Sequence, residues 1–206
     1  MVTPTMQTIL PSDLLPPDAY RLLISVVVPR PIAWVSTQGK DGTLNLAPFS
    51  FFNAVAGNPP TLMVSISQRK GKPKDTLQNI QEMGEFVVNI VSEELAEAMN
   101  LTSGEWDYSV DEFAMAHLET APSVDIKPPR VAAAKAAMEC RLTQLIPLEG
   151  SSYTIVLGRV LRYHIQEGLL RANGLVDDGQ LRPVGRLGGD EYTRFGEVFE
   201  MVRPKI

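Results

Sequence analysis

PRPIAWVSTQGKDGTLNLAPFS, residues 29–50, decides the fold. Each proline disfavours helix in the residue before it. The short helix that can start in PDAYRLLIS, 17–25, therefore ends at Pro29-Arg30-Pro31, and the chain goes extended. Two extended runs follow, IAWVST at 32–37 and TLNLA at 43–47, joined by QGKDG, a five-residue loop with two glycines. That spacing predicts a hairpin. Alternation along the second strand sends Leu44 and Leu46 to a core and turns Thr43, Asn45 and Ala47 to the other face. Pro48 interrupts the ladder, leaving nearby backbone groups without strand partners, and Ser50 adds a hydroxyl at the break.

Outward from this hairpin the pattern stays antiparallel. TLMVSIS, 61–67, is a strand with Leu62, Val64 and Ile66 on one face, and EFVVNIV, 85–91, is another. Between them DTLQNIQEMG sets Leu77, Ile80 and Met83 at helical spacing and closes on Gly84. Asp75 and Gln78 stand in the capping-box relation, which predicts a helix starting near 75. Ser92 is the expected N-cap of a further helix, with Glu93 and Glu94 in its first turn. AAMECRLTQLIPL, 136–148, and YTIVLGRVLRYHI, 153–165, form a long hairpin about EGSS. SGEWDYSVDEF, 103–113, is a polar, aromatic-dotted insertion. The tail from 168 is a loop that returns through VGRLGGDEYTRF. Hairpin-linked strands with inserted helices predict a mainly β protein, an antiparallel barrel rather than a parallel sheet. Its 206 residues suit a single domain spanning 1–206.

Composition removes several functions. A net charge of -5 disfavours a general nucleic-acid binder. The two histidines, His117 and His164, are too few for a multi-histidine metal centre, no metal site is expected, and neither lies beside a nucleophile-elbow pattern. Cys140 stands alone, so it forms no internal disulfide and reads as a small core residue. No G-x-G-x-x-G follows a strand, and RKGKPKDT, 69–76, is not a Walker A loop because Pro73 stands where Ser or Thr belongs. No apolar run approaches the roughly 20 residues of a membrane-spanning helix. The start, MVTPTMQTIL, lacks the parts of an export signal, so the cytoplasm is the expected location.

Three stretches carry chemistry. In 43–50, TLNLAPFS, the Asn45 amide offers donors and an acceptor together, as a heterocycle edge requires, and Ala47 lets a flat ring approach the backbone. The plain alternative is an edge strand ending at a proline. SQRKGKPKDT, 67–76, places Ser67, Arg69, Lys70, Lys72, Lys74 and Thr76 at the mouth of a helix, where free N–H groups and the dipole favour a phosphate. Asp75 opposes an anion there unless it caps the helix, and a solvated basic loop is the alternative. In GRLGGDEYTRF, 185–195, two glycines permit close backbone approach, bracketed by Arg186 and Tyr192; a surface turn is the plain reading.

In order, PRPIAWVSTQGKDGTLNLAPFSFFNAVAGNPPTLMVSIS, KDTLQNI, EFVVNIV, GRV with His164 downstream, and RLGGDEY resemble the flavin reductase-like family over roughly residues 17–195. The resemblance implies an FMN-binding split barrel of the kind found in flavoredoxins and in the small reductase components of two-component monooxygenases, such as nitrilotriacetate monooxygenase component B. It implies FMN as cofactor, with FAD the alternative, NAD(P)H as electron donor, a homodimer with flavin near the interface, and a monooxygenase as partner. By the same resemblance Ser36, Thr37, Asn45, Leu46, Ala47 and Ser50 line the isoalloxazine. Ser67, Arg69, Lys74 and Thr76 hold the ribityl phosphate, with Asp75 as helix cap beside it. Arg30 supports the phosphate or the dimer contact, and Arg186, Gly188 and Tyr192 close the site.

The implied function is an NAD(P)H-dependent flavin oxidoreductase, in which hydride passes to flavin N5 while the protein aligns the rings and excludes water. Such chemistry needs no dedicated acid or base, and His164 is the one weak catalytic candidate. Trp34 is expected in the core rather than stacked on a ring. The rival functions are a flavoredoxin-like electron-transfer protein that retains FMN, a non-catalytic flavin binder, and an interaction domain without ligand.

Overall fold

The computed structural model describes residues 3–204. Helix α1, Pro16–Val26, begins on two prolines and stops before Pro29, as the proline pattern requires. Strands β1, Ala33–Gln38, and β2, Leu44–Phe49, form the expected hairpin, with Val35 opposite Ala47 and Thr37 opposite Asn45. Gly42, at φ +89°, takes the left-handed position of the connection. The ladder does not stop at Pro48: Trp34 pairs with Pro48 and Ala33 with Phe49. The proline is tolerated because β2 is the outer strand of its sheet.

The chain continues through β3, Phe52–Gly57, and β4, Pro60–Arg69, a second hairpin of which only β4 was expected. Helix α2, Asp75–Met83, ends on Gly84 in the left-handed conformation. Lys74 occupies its N-cap position and no side chain caps it; Asp75 is its first residue, not its cap. Then come β5, Glu85–Ile90, a 3₁₀ turn at Glu93–Leu95 and α3, Ala96–Leu101. Ser92 precedes that turn without a side-chain capping bond. After α4, Glu112–Met115, the long hairpin of β6, Ala136–Pro147, and β7, Tyr153–Ile165, follows with two bulges, and α5, Asp178–Leu181, lies beyond it.

The main sheet runs β2-β1-β5-β6-β7-β4-β3, antiparallel throughout, with Lys72–Pro73 added to β4. β2 and β3 are not paired with one another, so the curled sheet stays open. Its interior is filled by Val35, Val64, Ile66, Phe86, Val88, Cys140 and Val156, and α2 contributes Leu77 and Ile80 to the same cluster. Removing these side chains from water, at roughly 1.5–3 kcal/mol for each large apolar one, is the main term holding the curled sheet around α2. A second cluster, Trp34, Leu46, Met99, Phe113 and Val131, packs α3 and α4 against the back of the β1–β2 hairpin. Trp34 is fully buried, as expected, and donates its Nε1–H to Thr102 Oγ1 at 2.8 Å. A small sheet of Arg30–Pro31, Gly185–Arg186 and Tyr192–Thr193 brings the returning tail beside the first hairpin.

Candidate functional site

A cavity of about 570 Å³ opens where β2, the end of β4, the mouth of α2 and residues 102–112 meet. Asn45 and Ala47 stand on its wall because period-two alternation turns them away from the cluster that buries Leu46. Asn45 is itself nearly buried, and its Nδ2 donates to Thr37 Oγ1 at 3.1 Å and Thr76 Oγ1 at 2.9 Å. Both amide hydrogens are thereby spent, so the group left for a ligand is the carbonyl oxygen. Thr37 also accepts from Asn79 Nδ2, which ties strand β1 to α2 behind the wall.

The side of the cavity at the mouth of α2 is basic. Arg69, Lys70, Lys72 and Lys74 converge there with Asp75 and Thr76. The first N–H groups of α2 have no side-chain cap, and the Lys74 ammonium has no carboxylate within 4.0 Å among the described residues. Lys74 lies over the Phe49 ring, 5.7 Å from its centre, and burial pulls its pKa below the ordinary lysine value. Burial pushes the Asp75 carboxyl above its usual range, with Arg69 opposing. Arg69 is already engaged: it donates to the carbonyls of Trp106 and Glu105 at 2.8 and 3.1 Å and pairs with the Glu105 carboxylate.

Residues 103–108 thus form a wall latched by Arg69, by the Tyr108 hydroxyl donating to Asp41 Oδ1 at 3.1 Å, and by Trp106 Nε1–H donating to Leu101 O. This wall, with Phe49 and Glu112, was not anticipated as part of the site. The aromatic residues of the insertion were its only sequence signal. Glu112 is nearly buried and accepts the Leu46 N–H on Oε2 at 3.0 Å, while burial pushes its pKa up to about 7 against that bond.

A smaller recess of about 390 Å³ adjoins the cavity across Pro48, Phe49 and Ser103, and it holds Ser50, Arg186 and Tyr192. Arg186 stacks on the Tyr192 ring at 4.4 Å, and the Tyr192 hydroxyl donates to Asn100 Oδ1. Of the residues expected at the site, the structure therefore gathers Asn45, Ala47, Arg69, Lys74, Asp75 and Thr76 in the cavity and Ser50, Arg186 and Tyr192 beside it.

The others lie elsewhere. Arg30 is buried with its guanidinium donating to the carbonyls of Ile24, Val27 and Leu187, so it ties α1 to the returning tail. Ser36 is fully buried and donates to Pro129 O. Thr37 is equally buried behind Asn45, and Leu46 has its side chain in the core and its N–H on Glu112. Ser67 sits on β4 opposite Tyr153, outside the cavity lining. Gly188 packs on Ser25 of α1, where an added Cβ would lie 3.5 Å from the Ser25 backbone. His164 is on β7, outside the lining of both the cavity and the recess; its Nε2 lies 2.6 Å from Oε1 of the fully buried Glu139, which also accepts the N–H groups of Val124 and Asp125. Its partner is a carboxylate rather than the backbone carbonyl usual for a strand histidine.

Residues 25–185 match the flavin reductase like domain family. Nitrilotriacetate monooxygenase component B from Bacillus cereus superposes with a TM-score of 0.93 at 38% identity, covering 97% of this chain and 100% of that one. The 2-nitrobenzoate 2-nitroreductase NbaA of Pseudomonas fluorescens gives 0.88 at 32% identity, over 96% of each chain. Flavoredoxin of Desulfovibrio vulgaris (Miyazaki F) gives 0.76 at 25% identity, over 85% of this chain and 91% of that one. The open antiparallel barrel, its plugging helix and the matched sequence agree, and the chain belongs to the flavin reductase-like family of split-barrel proteins.

Proposed function

We propose that this protein is an FMN-binding oxidoreductase that accepts hydride from NAD(P)H and passes electrons on through flavin, with FAD as the alternative cofactor. The observation that carries the reading is the polarity of one cavity. The wall carries a fixed amide carbonyl, Asn45, and beside it opens an uncapped helix mouth with an ammonium, Lys74, that has no carboxylate partner among the described residues. A planar polar ring with a phosphorylated tail calls for both kinds of group, a polar edge partner and an anion site, so the residues present fit the cofactor. Lys74, Thr76 and the first N–H groups of α2 would hold the phosphate, while Asn45 and the Ala47 backbone would meet the ring edge. Bound flavin supplies the hydride chemistry. The chain's own task is to hold the ring flat against β2, keep water out with the 103–108 wall and leave the adjoining recess of Arg186 and Tyr192 for the electron donor.

Mixing the protein with FMN and NADH or NADPH without oxygen is expected to bleach the flavin absorbance with at least one donor; no bleaching with either removes the reductase reading. Likeness to flavoredoxin favours a second reading, electron transfer by retained FMN. A protein that keeps yellow flavin through gel filtration and oxidises no nicotinamide has that second function. Likeness to a monooxygenase component favours an oxygenase as recipient of the reduced flavin. The protein works as a homodimer in this proposal. Only Ile24 of α1 is buried, and Leu23, Val26, Val27 and Val28 lie more than two-fifths exposed beside the recess, an apolar face suited to a second copy.

A further inference from the structure

Glu112 is the group in the cavity that the flavin reading leaves unused. It comes from α4, whose start is held by Asp111 accepting the N–H groups of Phe113 and Ala114. Phe113 beside it is locked in the second core cluster. The carboxyl is only 6% exposed, yet it lines the cavity with Asn45 and Thr76. Oε2 accepts the Leu46 N–H and the carboxyl also meets the backbone N–H of Glu112 itself, while no other residue donates to Oε1 among the described residues. A buried carboxyl with one satisfied oxygen and one oxygen facing a ligand cavity is costly when ionised. No cation pairs with it among the described residues: none of their lysine or arginine nitrogens lies within 4.0 Å.

The groups around Glu112 weigh the same way. Strand β2, against which α4 packs, carries no charged side chain between Leu44 and Phe49. Asp75 from α2 and Asp111 at the helix start both disfavour a further negative charge. Lys74 and the Arg69–Glu105 pair line the same cavity, with Asp107 and Tyr108 on the insertion.

We propose that Glu112 is a ligand-contacting residue of the cavity, neutral when the ring is bound, whose Oε1–H donates a hydrogen bond to an acceptor atom of that ring. The proposal rests on the flavin reading and adds a proton to it: binding takes up one proton once the free carboxyl is ionised. The carboxyl titrates near 7 in the ligand-free protein, so the acid form dominates below that pH and is lost above it. Ligand affinity therefore falls as pH rises through and beyond 7, approaching about tenfold per pH unit for a single linked proton.

The test is FMN affinity by fluorescence quenching at pH 7.5 and 8.5, a range in which the FMN phosphate, second pKa about 6, is already doubly ionised. Wild type is expected to bind roughly tenfold more weakly at the higher pH. Glu112→Gln keeps an acceptor for the Leu46 N–H and a permanent N–H donor for the ring, so its affinity is expected to change less than about twofold across the range. A variant that follows the wild-type slope, or a wild type without a slope, overturns the role of Glu112 and leaves the flavin site standing. No FMN binding by wild type at either pH sinks the flavin reading and this inference with it. An independent readout uses ligand-free wild type labelled with carboxyl-¹³C glutamate: one resonance is expected to titrate near 7 and to move to higher pH with FMN. Its absence overturns the proposal whether or not the variant folds.

Discussion

Lys74 and Asn45 divide the work at the candidate site by charge. The ammonium faces the cavity without a carboxylate partner, while the amide is anchored by two threonine hydroxyls and can offer only its oxygen. Lys74→Met removes a charge-assisted contact worth about 1.5–3 kcal/mol. FMN affinity is therefore expected to fall about ten- to hundredfold, while riboflavin, which lacks the phosphate, changes less than twofold. Parallel titrations of the two ligands decide it, and an equal loss for both would assign Lys74 to the ring instead. The basic stretch 69–76 was legible in the sequence as a cluster of cations at a helix mouth, but the division of those cations was not. Arg69 turns to the carbonyls of Glu105 and Trp106, residues 36 and 37 positions away, and no local pattern encodes that choice.

At the scale of elements, the barrel depends on how closely β7 approaches β5. Gly158 on β7 has no side chain because the Phe86 ring of β5 fills its place: an added Cβ would lie 2.3 Å from Phe86 Cζ. Phe86 is almost fully buried and cannot swing into solvent. Gly158→Ala is expected to destabilise the fold by about 1–3 kcal/mol, the usual range for overpacking, seen as a lower urea midpoint with unchanged m. The hairpins β1–β2 and β6–β7 and helix α2 were legible, since each carries a periodic apolar face and glycine or proline punctuation. Strand β3 was not. Only Phe52 of its six residues is buried, so no alternation marks it, and its pairing with β4 alone makes it a strand.

For the whole molecule, the exposed apolar side of α1 bears on assembly. Replacing Leu23 and Val26 together by Glu is expected to leave the fold intact, since both side chains are more than half exposed, and to convert a dimer into a monomer by light scattering. A monomeric wild type would remove the dimer reading. The sequence by itself determined the antiparallel barrel, the helix after residue 75 and the two stretches that frame the cavity, because strand period, helical spacing and turn residues act between neighbours in the chain. Only tertiary structure decided that Arg30, Ser36, Thr37 and Leu46 stand behind the wall and that Glu112 stands in it. Those placements follow from which surfaces pack together once the sheet curls, and burial, not residue type, then sets what each side chain can do.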